Sequence, residues 1–311
     1  MKKLMVLGSV NMDITLQVHR VPAAGECLTA QWVTRQVGGK GLNQAVAAAR
    51  CGAQVTYVGK VGADAAADEI RGILEKERIA SRLYLSSNQP TGSAYIMLES
   101  TGQNRIIVHG GANQGFNGQD IADMEKTIGE QDMLLMQLET NLESVSGAIA
   151  YAAKQHIPII VDAGPAKPGI LPLFSAVDVV SPNETELATL LGRSEIKPID
   201  RMAACHEILR HGAKAVLLKL GSEGALWVTQ EEAIPYPAYR GVQAVDTTGA
   251  GDAFTAAFAC ALLDGKSTDA AIRYATLAGA IAVTRPGALH SMPTKTEIEA
   301  LNDKIHSAEQ I

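Results

Sequence analysis

The sequence predicts an α/β fold in which a mostly parallel sheet is covered by helices on both faces. Apolar runs of strand length alternate with helical runs along most of the chain, and the apolar runs contain few polar positions. Strands that are apolar throughout are typical of parallel sheets buried on both sides. Two further segments, in which polar and apolar residues alternate, predict a second and smaller sheet.

The alternation of strands and helices starts at the N-terminus. The run KLMVLGS predicts a short buried strand, and GLNQAVAAARCG (41–52) predicts a helix that Gly52 is placed to end. The next strand and helix are QVTYVGKVG and DAAADEIRGILEKE. Later strands, DMLLMQL, IPIIVDAG and KAVLLKLG, alternate with helices such as NLESVSGAIAYAAKQ and DRMAACHEILRHG. This order predicts helices on both faces of one sheet.

Residues 14–37 and 91–110 interrupt this order with alternating patterns and hairpin-like turns. Such alternation is typical of an antiparallel sheet with one face in water. We expect these segments to form a small lid over the main sheet, although ordinary hairpins at a sheet edge would have the same pattern. The core would then comprise residues 1–13, 38–90 and 111–311.

Composition and charge argue against some classes of partner. The chain has 311 residues, 47% of them hydrophobic, and 27 basic against 33 acidic residues give a net charge of −6. Without a basic excess or a run of like charges, we expect no nucleic-acid partner and no anionic membrane partner. The apolar runs are too short for a signal peptide or a membrane span, so we expect a cytoplasmic protein.

The four cysteines, Cys27, Cys51, Cys205 and Cys260, form no Cys-x-x-Cys pair. We expect them to be buried or half-buried thiols in a reducing compartment. The seven histidines are scattered, without a spacing such as His-Glu-x-x-His, so no zinc site is expected.

The stretch VDTTGAGDAFTAAFACALL (245–263) combines a glycine-rich turn with a carboxylate. Gly249, Ala250 and Gly251 precede a helix predicted from about Asp252, and small residues there let several N–H groups face one point at the positive end of a helix. The turn is not a Walker loop, because Gly-x-x-x-x-Gly-Lys-Ser/Thr occurs nowhere in the chain. It is not a dinucleotide fingerprint either, because a phenylalanine replaces the third glycine. The pattern predicts an anion site built from amides.

Asp252 needs an explanation, because a carboxylate repels a phosphate bound beside it. The residue fits a site in which a phosphoryl group is transferred and a hydroxyl loses its proton, where a general base typically contributes about 10²–10⁴-fold. An aspartate that caps a helix would produce the same sequence pattern without a catalytic role. The motif alone leaves both interpretations open.

The motif DTTGAGD resembles the C-terminal signature of the ribokinase-like carbohydrate kinases, the PfkB family, and GGKGLNQAVAAARCG resembles their N-terminal glycine motif. The stretches GSVNMD (8–13), MQLE (136–139), SPNETE (181–186) and LKLGSEG (218–224) fall in the order and spacing of the family. The resemblance covers nearly the whole chain. It implies the ribokinase-like three-layer α/β/α sandwich with a β-sheet lid.

The resemblance implies a role for each matching residue. Asp252 would remove the proton from the primary hydroxyl of the sugar. The amides of Gly249, Ala250 and Gly251 would hold the charge that develops on the transferred phosphoryl group. The sugar hydroxyls would be bound by Asn11, Asp13, Gly39, Lys40, Gly41, Asn43, Glu139 and Asp252.

The residue pattern also allows other roles for these sugar residues. Asn11 and Asp13 follow the first strand, at the edge where α/β sheets bind ligands, but polar residues after a strand also form turns. Asn43 would equally suit an exposed helix position, and Lys40 a solvated one.

The resemblance further implies an ATP site. Asn183 would lie beside the phosphates and Glu186 would order Mg²⁺ through water, although Asn-x-x-Glu is also the pattern of a helix-capping box. The other nucleotide residues would be Lys219, Leu220, Gly221, Ser222, Glu223, Gly224, Gly251 and Thr276.

A monovalent-cation site and a dimer are implied in the same way. The run AIAVTRPGALHS (280–291) keeps the family's layout for a K⁺ site made largely of backbone oxygens, so K⁺ activation is expected. Its residues would be Asp246, Thr248, Ala282, Arg285, Gly287 and Ser291. Family members pair lid to lid, and apolar surface such as Trp32 and Val33 would be covered in a homodimer.

The expected function is ATP-dependent phosphorylation of D-ribose at its 5-hydroxyl. A family kinase for another pentose, a deoxyribose or a nucleoside stays an alternative, because DTTGAGD, VDAGPAKPG and Pro286 differ from the forms usual in the ribose enzymes. A non-catalytic sugar or nucleotide sensor is a more remote alternative, since Asp252 and the glycines beside it are present. A dehydrogenase is disfavoured because the first strand lacks a three-glycine turn.

Overall fold

The apolar strands form one large sheet in the computed structural model, which describes residues 2–101 and 103–308. They are β1 (Lys3–Leu7), β4 (Gln54–Gly62), β5 (Ala80–Ser86), β8 (Met133–Met136), β9 (Ile159–Asp162), β10 (Val179–Ser181), β11 (Ala215–Lys219), β12 (Gly224–Val228) and β13 (Ala233–Pro237). Their order is β13-β12-β11-β10-β9-β8-β1-β4-β5. Neighbours from β11 to β5 are parallel, whereas β12 and β13 are antiparallel additions at one edge. The predicted mostly parallel sheet is confirmed.

Helices cover this sheet on both faces. They are α1 (Lys40–Arg50), α2 (Ala65–Lys76), α3 (Gly118–Ile128), α4 (Leu142–Lys154), α5 (Glu184–Leu190), α6 (Arg201–Leu209), α7 (Ala250–Leu263), α8 (Thr268–Ala282) and α9 (Lys295–Ala308). Leu4 and Val6 of β1 pack into a core with α1, α7 and α8. Met5 and Leu7 point to the opposite core, with α3, α4 and α6. Because successive strand residues face opposite sides, a strand between two cores has to be apolar throughout.

Two predicted helix starts differ slightly from the structure. Helix α1 begins one residue before the predicted position and ends at Arg50, and Gly52 follows it with a left-handed φ of 93°. Helix α7 begins at Ala250, earlier than the predicted start near Asp252. Every residue from Asp252 to Ala261 is buried, which places α7 inside the core and not on its surface.

The second sheet consists of four strands with the order β3-β2-β6-β7. These strands are β2 (Asn11–Val18), β3 (Trp32–Gly38), β6 (Gly92–Glu99) and β7 (Asn104–His109). The outer pairs are antiparallel as predicted, but β2 and β6 at the centre run parallel. The prediction of an antiparallel sheet is therefore wrong for this pair. Both strands leave the core in the same direction, and the core segment between them supplies the long connection that a parallel pair requires.

Large apolar side chains lie exposed on this smaller sheet. Trp32 and Val33 are exposed as expected, and on the edge strand β7 so are Ile106, Ile107 and Val108. An apolar surface of this kind on a water-facing sheet is typical of an interaction site.

Three of the four cysteines are buried thiols, Cys51, Cys205 and Cys260. Cys27 is exposed, so the prediction of burial is wrong for it, because it lies in the long connection between β2 and β3. No helix among the described residues combines the length and hydropathy needed to cross a bilayer.

Candidate active site

The candidate site lies where the parallel strands of the main sheet end. Strand β9 ends at Asp162, and β8 is followed within three residues by Glu139. Asn183 caps helix α5 just after β10 and forms an isolated bridge with Lys219 at the end of β11. Carboxyl ends of adjacent parallel strands meet at one edge of a sheet, which is where open α/β folds bind ligands.

The glycine turn before α7 has the geometry of an anion cradle. Gly249 caps the helix with a left-handed φ of 77°, which favours glycine. A Cβ at this position would lie 2.8 Å from Cε of Met292 and 3.0 Å from Cα of Ala288. The Ala250 N–H donates to Thr247 O at 3.2 Å. The amides of Gly249 and Gly251 belong to the helix end, where N–H groups lack intrahelical acceptors.

Asp252 is the third residue of α7 and does not cap it, so the helix-cap explanation is wrong. Its side chain is buried and both of its oxygens accept hydrogen bonds from α1. Asn43 Nδ2 donates to Oδ2 at 2.9 Å and Gln44 Nε2 donates to Oδ1 at 3.1 Å. Lys40 Nζ lies 3.8 Å from Oδ1. The carboxylate is thus fixed beside the cradle, and Asn43 is buried and not an exposed helix residue.

The remaining residues predicted to bind the sugar lie near Asp252, towards the smaller sheet. Asn11 is buried at the start of β2, where Asn113 Nδ2 donates to its Oδ1 at 2.9 Å. Burial, and then the nearby carboxylates of Glu139 and Asp252, raise the pKa of Asp13 to about 7. Burial likewise raises the pKa of Glu139. Carboxylates that influence one another in this way form one cluster, suited to accept hydrogen bonds from several hydroxyls.

The predicted glycines join this cluster to the first strand. Gly39 caps α1, and Gly41 follows it in the first turn of that helix. A Cβ at Gly41 would lie 2.5 Å from the carbonyl carbon of Gly8, so only glycine permits this approach of α1 to the end of β1.

Lys40 is half-buried among carboxylates and lies 3.8 Å from Asp252 Oδ1, so its side chain is not simply solvated. Burial works to lower its pKa, but four nearby acidic groups outweigh burial and raise the pKa above its ordinary value. These groups are Asp252, Asp162, Glu186 and Glu139. A permanent positive charge at this point faces both the sugar cluster and the nucleotide side.

A cavity of about 790 Å³ adjoins the cradle on the nucleotide side. Twelve of the predicted residues line it: Lys40, Asn183, Glu186, Lys219, Gly221, Ser222, Gly224, Gly249, Ala250, Gly251, Asp252 and Thr276. A space of this size falls in the usual range for a bound small molecule. Asp252 therefore stands between this cavity and the sugar cluster.

Two predicted nucleotide residues do not line the cavity. Leu220 packs against the apolar core under the sheet. Glu223 turns towards Arg201, whose Nη1 and Nη2 donate to its carboxylate at 2.7 and 2.9 Å. Packing directs the side chain of Leu220 away from the cavity and an ion pair does the same for Glu223, so the contribution of these two residues to a nucleotide site stays a prediction.

Asn183 and Glu186 fit both interpretations of their motif. They form a capping box at the start of α5, in which Asn183 Oδ1 accepts the Glu186 N–H at 2.8 Å and Glu186 Oε2 accepts the Asn183 N–H at 2.7 Å. Both residues also line the cavity. The cap holds the Glu186 carboxylate rigidly at the cavity wall.

The wall of the cavity also includes residues that the sequence did not indicate. The loop after β13 contributes Tyr239, Val242 and Ala244, and α8 with the residue after it contributes Ala280 and Val283. Apolar side chains of this kind suit a flat base. The loop carries no motif, so only the alternation of small and apolar residues could have hinted at it.

Asp162 is a further residue that the motifs missed. It has no exposed surface, and it accepts from Lys219 Nζ at 2.8 Å and from Thr255 Oγ1 at 3.1 Å. Burial opposes ionisation, but Lys219 and then Lys40 hold the pKa of Asp162 below its ordinary value. The signal available in the sequence was an acidic residue at the end of an otherwise apolar strand.

The predicted K⁺ residues lie on the loop before α7, at the end of helix α8 and in the loop segment that follows α8, and these two loops meet. Gly287 N–H donates to Asp246 Oδ2 at 2.8 Å, and Thr248 donates through N–H and Oγ1 to Asp246 Oδ1 at 2.9 and 2.7 Å. The Arg285 guanidinium is turned away to Glu297, and Ala282 O accepts the Arg285 N–H. Ser291 Oγ donates to Ala288 O. The two loops are thus held together beside the turn that leads into Gly249.

Comparison with known proteins gives a consistent family. The model of the pfkB family carbohydrate kinases matches residues 1–295. A ribokinase of Haemophilus influenzae is 36% identical over 297 residues, which are 95% of this chain and 97% of the relative. A deoxyribokinase of Salmonella typhi is 34% identical over 305 residues, with 96% and 97% of the two chains covered. The structure of an Arabidopsis thaliana ribokinase complexed with ribose and ATP superposes with a TM-score of 0.89 at 34% identity, covering 96% of this chain and 98% of that one.

Proposed function

This chain belongs to the pfkB family of carbohydrate kinases, and we infer from that membership and from its cleft that it phosphorylates D-ribose at the 5-hydroxyl with ATP. The observation that carries this inference is the position of Asp252. One buried carboxylate stands between a cluster of hydroxyl-binding side chains and a nucleotide-sized cavity, directly beside an amide cradle. Phosphoryl transfer depends on that kind of positioning and charge stabilisation.

The proposed step transfers one phosphoryl group in line. As the oxygen of the sugar 5-hydroxyl forms its bond to the γ-phosphorus, Asp252 accepts the hydroxyl proton and the bond from the γ-phosphorus to the β,γ-bridging oxygen breaks. ADP then leaves with that oxygen. The amides of Gly249, Ala250 and Gly251 stabilise the charge on the equatorial oxygens, and each donor of this type is typically worth about 10²–10³-fold.

Substrate contacts follow from the two sides of Asp252. We propose that Asn11, Asp13, Asn43 and Glu139 hold the ribose hydroxyls, with the backbone of Gly39 and Gly41 packed against them. On the other side, Asn183, Lys219 and the turn Gly221–Gly224 would hold the phosphates and ribose of ATP. Thr276 would lie beside the adenine base of ATP. Its Oγ1 already donates to Ile272 O at 2.9 Å.

Glu186 fits a role in binding Mg²⁺. In phosphoryl-transfer sites Mg²⁺ is usually held by one or two carboxylates together with water and substrate phosphates, and Glu186 presents a fixed carboxylate at the cavity wall. When bound, Mg²⁺ supplies positive charge to the phosphates. Lys40 adds a second, permanent positive charge from the protein itself.

The joined loops around Asp246 fit a K⁺ site made of backbone oxygens. The hydrogen bond from Gly287 to Asp246 holds these loops together, and the loop that contains Asp246 continues directly into the cradle. When bound, K⁺ would add positive charge beside the anion cradle. We propose Asp246, Thr248, Ala282, Arg285, Gly287 and Ser291 as its surroundings.

The assembly and location of the protein are proposed on separate grounds. The exposed apolar strand β7 and the Trp32–Val33 segment support a homodimer formed through the smaller sheet, which would act as a lid over the site. Free buried thiols are typical of proteins in a reducing compartment, which supports a cytoplasmic location.

A substrate panel tests the proposed activity. ADP release would be measured with ATP and Mg²⁺ for D-ribose, 2-deoxyribose, fructose and adenosine. We expect the highest kcat/KM for ribose, and a higher kcat/KM for 2-deoxyribose would reassign the substrate. Repeating the ribose assay with tetramethylammonium in place of K⁺ tests the cation site, since an unchanged rate would contradict it.

A further inference from the structure

Gln44 lies at the centre of the site, and although it stands within the motif GGKGLNQAVAAARCG, that motif implied no role for it. Its side chain has no exposed surface, and it sits on α1 between the apolar residues Leu42, Ala45 and Val46. A polar amide at such a position has a free-energy cost unless its donors and acceptor are paired. Its pairing therefore indicates what the amide is for.

The Gln44 amide bridges two buried carboxylates. Its Nε2 donates to Asp252 Oδ1 and to Asp162 Oδ2, each at 3.1 Å. Gln137 Nε2 donates to Gln44 Oε1. Ionised carboxylates only accept hydrogen bonds and an amide nitrogen only donates, so these partners define the orientation of the amide completely.

The two hydrogen bonds to Asp252 come from adjacent residues of one helix turn. Asn43 occupies one lone pair of Oδ2 and Gln44 occupies one lone pair of Oδ1. Each carboxylate oxygen has room for a second hydrogen bond, so either oxygen can still accept a hydroxyl proton. The pair prevents rotation of the carboxylate without blocking its chemistry.

We propose that Gln44 is a positioning residue for phosphoryl transfer, holding the Asp252 carboxylate in a fixed orientation through one N–H while its other N–H anchors it to Asp162. The proposal rests on the proposed kinase activity. Hydrogen bonds to the charged form of a carboxylate favour that form, and loss of the amide would also leave two buried carboxylates facing each other.

The charged groups around Asp252 set the background for a pH test. They are Lys40 from α1, Asp13 from β2, Glu139 after β8, and Asp162 at the end of β9, which is paired with Lys219 at the end of β11. Asp13 titrates near pH 7 in the free protein. The profile is therefore measured as kcat at saturating ribose and ATP, because kcat reports groups in the substrate complex.

The test uses two substitutions of similar size, Gln44→Met and Gln44→Glu. Both should lower kcat at pH 7 by about tenfold to hundredfold, as expected for the loss of a hydrogen bond to a charged group. Both should move the acid limb of the kcat profile to higher pH by about one unit. The shift should be larger for Gln44→Glu, which adds a third carboxylate. The ATP dissociation constant should change little, since Gln44 is not among the residues that line the cavity.

Matched substitutions separate positioning from general destabilisation. Gln131→Leu removes another buried amide, which donates to Thr127 O at 3.1 Å away from the site, and should leave the kcat profile unchanged. Gln137→Leu keeps Gln44 but frees its amide to turn, and should shift the acid limb in the same direction by a smaller amount. If neither substitution at position 44 yields folded protein, the kcat profile of Gln137→Leu tests the proposal in their place.

One outcome would contradict the role of Gln44, and another would contradict the proposed kinase activity. If the parent chain phosphorylates ribose but the variants keep its kcat profile, or lose activity only through a higher KM, the role of Gln44 is wrong. If the parent chain does not phosphorylate ribose, the proposed function itself fails.

Discussion

Lys219 Nζ lies 2.8 Å from Asp162 Oδ2, and through this pair the nucleotide cavity is connected to a carboxylate that has no exposed surface. Removing only the cation leaves a buried charge without its partner, which typically costs about 3–5 kcal/mol. We expect Lys219→Met to lower the free energy of unfolding by about 3 kcal/mol, measured by urea denaturation. The double variant Lys219→Met/Asp162→Asn should lose less than the sum of the single variants.

The same pair has a defined pH dependence. Since the pKa of Asp162 is below its ordinary value of 3.8 in the folded protein, its contribution to stability is complete above about pH 4 and is lost as pH falls through the lower folded value. Lys219→Met should abolish this acid-dependent loss. Identical pH dependence in the parent and the variant would contradict the pairing.

Asp252→Asn tests the proposed base. The substitution keeps the shape of the side chain but removes its basicity, so kcat should fall by about 10²–10⁴-fold. ATP binding, measured by calorimetry, should be nearly unchanged or slightly tighter, because one negative charge is removed beside the phosphates. Asp123→Asn, at an ion pair with Lys126 on the surface of α3, is the control and should retain full activity. Full activity in Asp252→Asn would refute the assignment.

Asp13 should make ribose binding dependent on pH. Its pKa of about 7 in the free protein means that half of the molecules carry a protonated Asp13 at neutral pH. If the ionised form accepts hydrogen bonds from the sugar, affinity for ribose should rise between pH 6 and pH 8 and level off above. Calorimetric titrations of the parent and of Asp13→Asn measure this, and the variant should bind more weakly with a flat profile. A flat profile in the parent would count against the role of Asp13.

The raised pKa of Asp13 also predicts an effect on stability with the opposite sign to that of Asp162. A carboxyl group whose folded pKa lies above the ordinary 3.8 is favoured in its protonated form. Its stabilising contribution is therefore present at about pH 4 and is lost as pH rises towards 7. Without ribose, Asp13→Asn should resist unfolding better than the parent at pH 8, and a less stable variant would contradict the burial argument.

Two glycines that flank helix α7 distinguish an effect on the site from an effect on backbone strain. Gly249 and Gly265 both have a left-handed φ, 77° and 82°, but a Cβ at Gly265 would meet nothing within 4 Å. Gly265→Ala should lower stability by about 1 kcal/mol and leave kcat unchanged. Gly249→Ala should lower stability by about 1–3 kcal/mol from the same strain, and it should also lose most of its activity because the cradle has to move. Thermal melts and kcat measure both effects, and equal activities would argue against the cradle.

The exposed apolar strand β7 predicts self-association. Ile107, 60% exposed, lies among Ile106 and Val108 on an edge strand of the smaller sheet. Sedimentation at micromolar concentration should show a dimer, and Ile107→Arg should convert it to a monomer. Ile199→Arg alters an isolated exposed residue on another surface and should leave the dimer intact. A parent chain that sediments only as a monomer would exclude the proposed assembly.

Local patterns in the sequence predicted most of the fold. Strand β1 could be predicted because a short apolar run suits a strand whose two faces are both buried. Helix α2 could be predicted because its apolar residues recur with helical spacing. The parallel pairing of β2 with β6 was not readable. Register and direction between distant strands depend on how the intervening core places their ends, which no local pattern records.

The site could be predicted where the backbone geometry requires a particular residue type. Gly41 and Gly249 are required by close approach and by a left-handed turn, so they appear in the sequence as motifs. Gln44 and Asp162 act through contacts between residues more than a hundred positions apart, as in the hydrogen bond from Gln44 to Asp162. The direction of the Glu223 side chain is set by its ion pair with Arg201, which lies outside the motif and which the motif could not predict.

Helix α7 carries the cradle at its first turn and is enclosed by core from Asp252 to Ala261. Alanine is the commonest residue in this helix and among the buried residues of α1 and α8, so an added methyl group would have little free space beside it. Random variation along this helix should therefore produce proteins that are less active and less stable together. Variants with altered substrate preference should instead arise on the smaller sheet and in the loop after β13, where side chains can change without shifting the reacting groups.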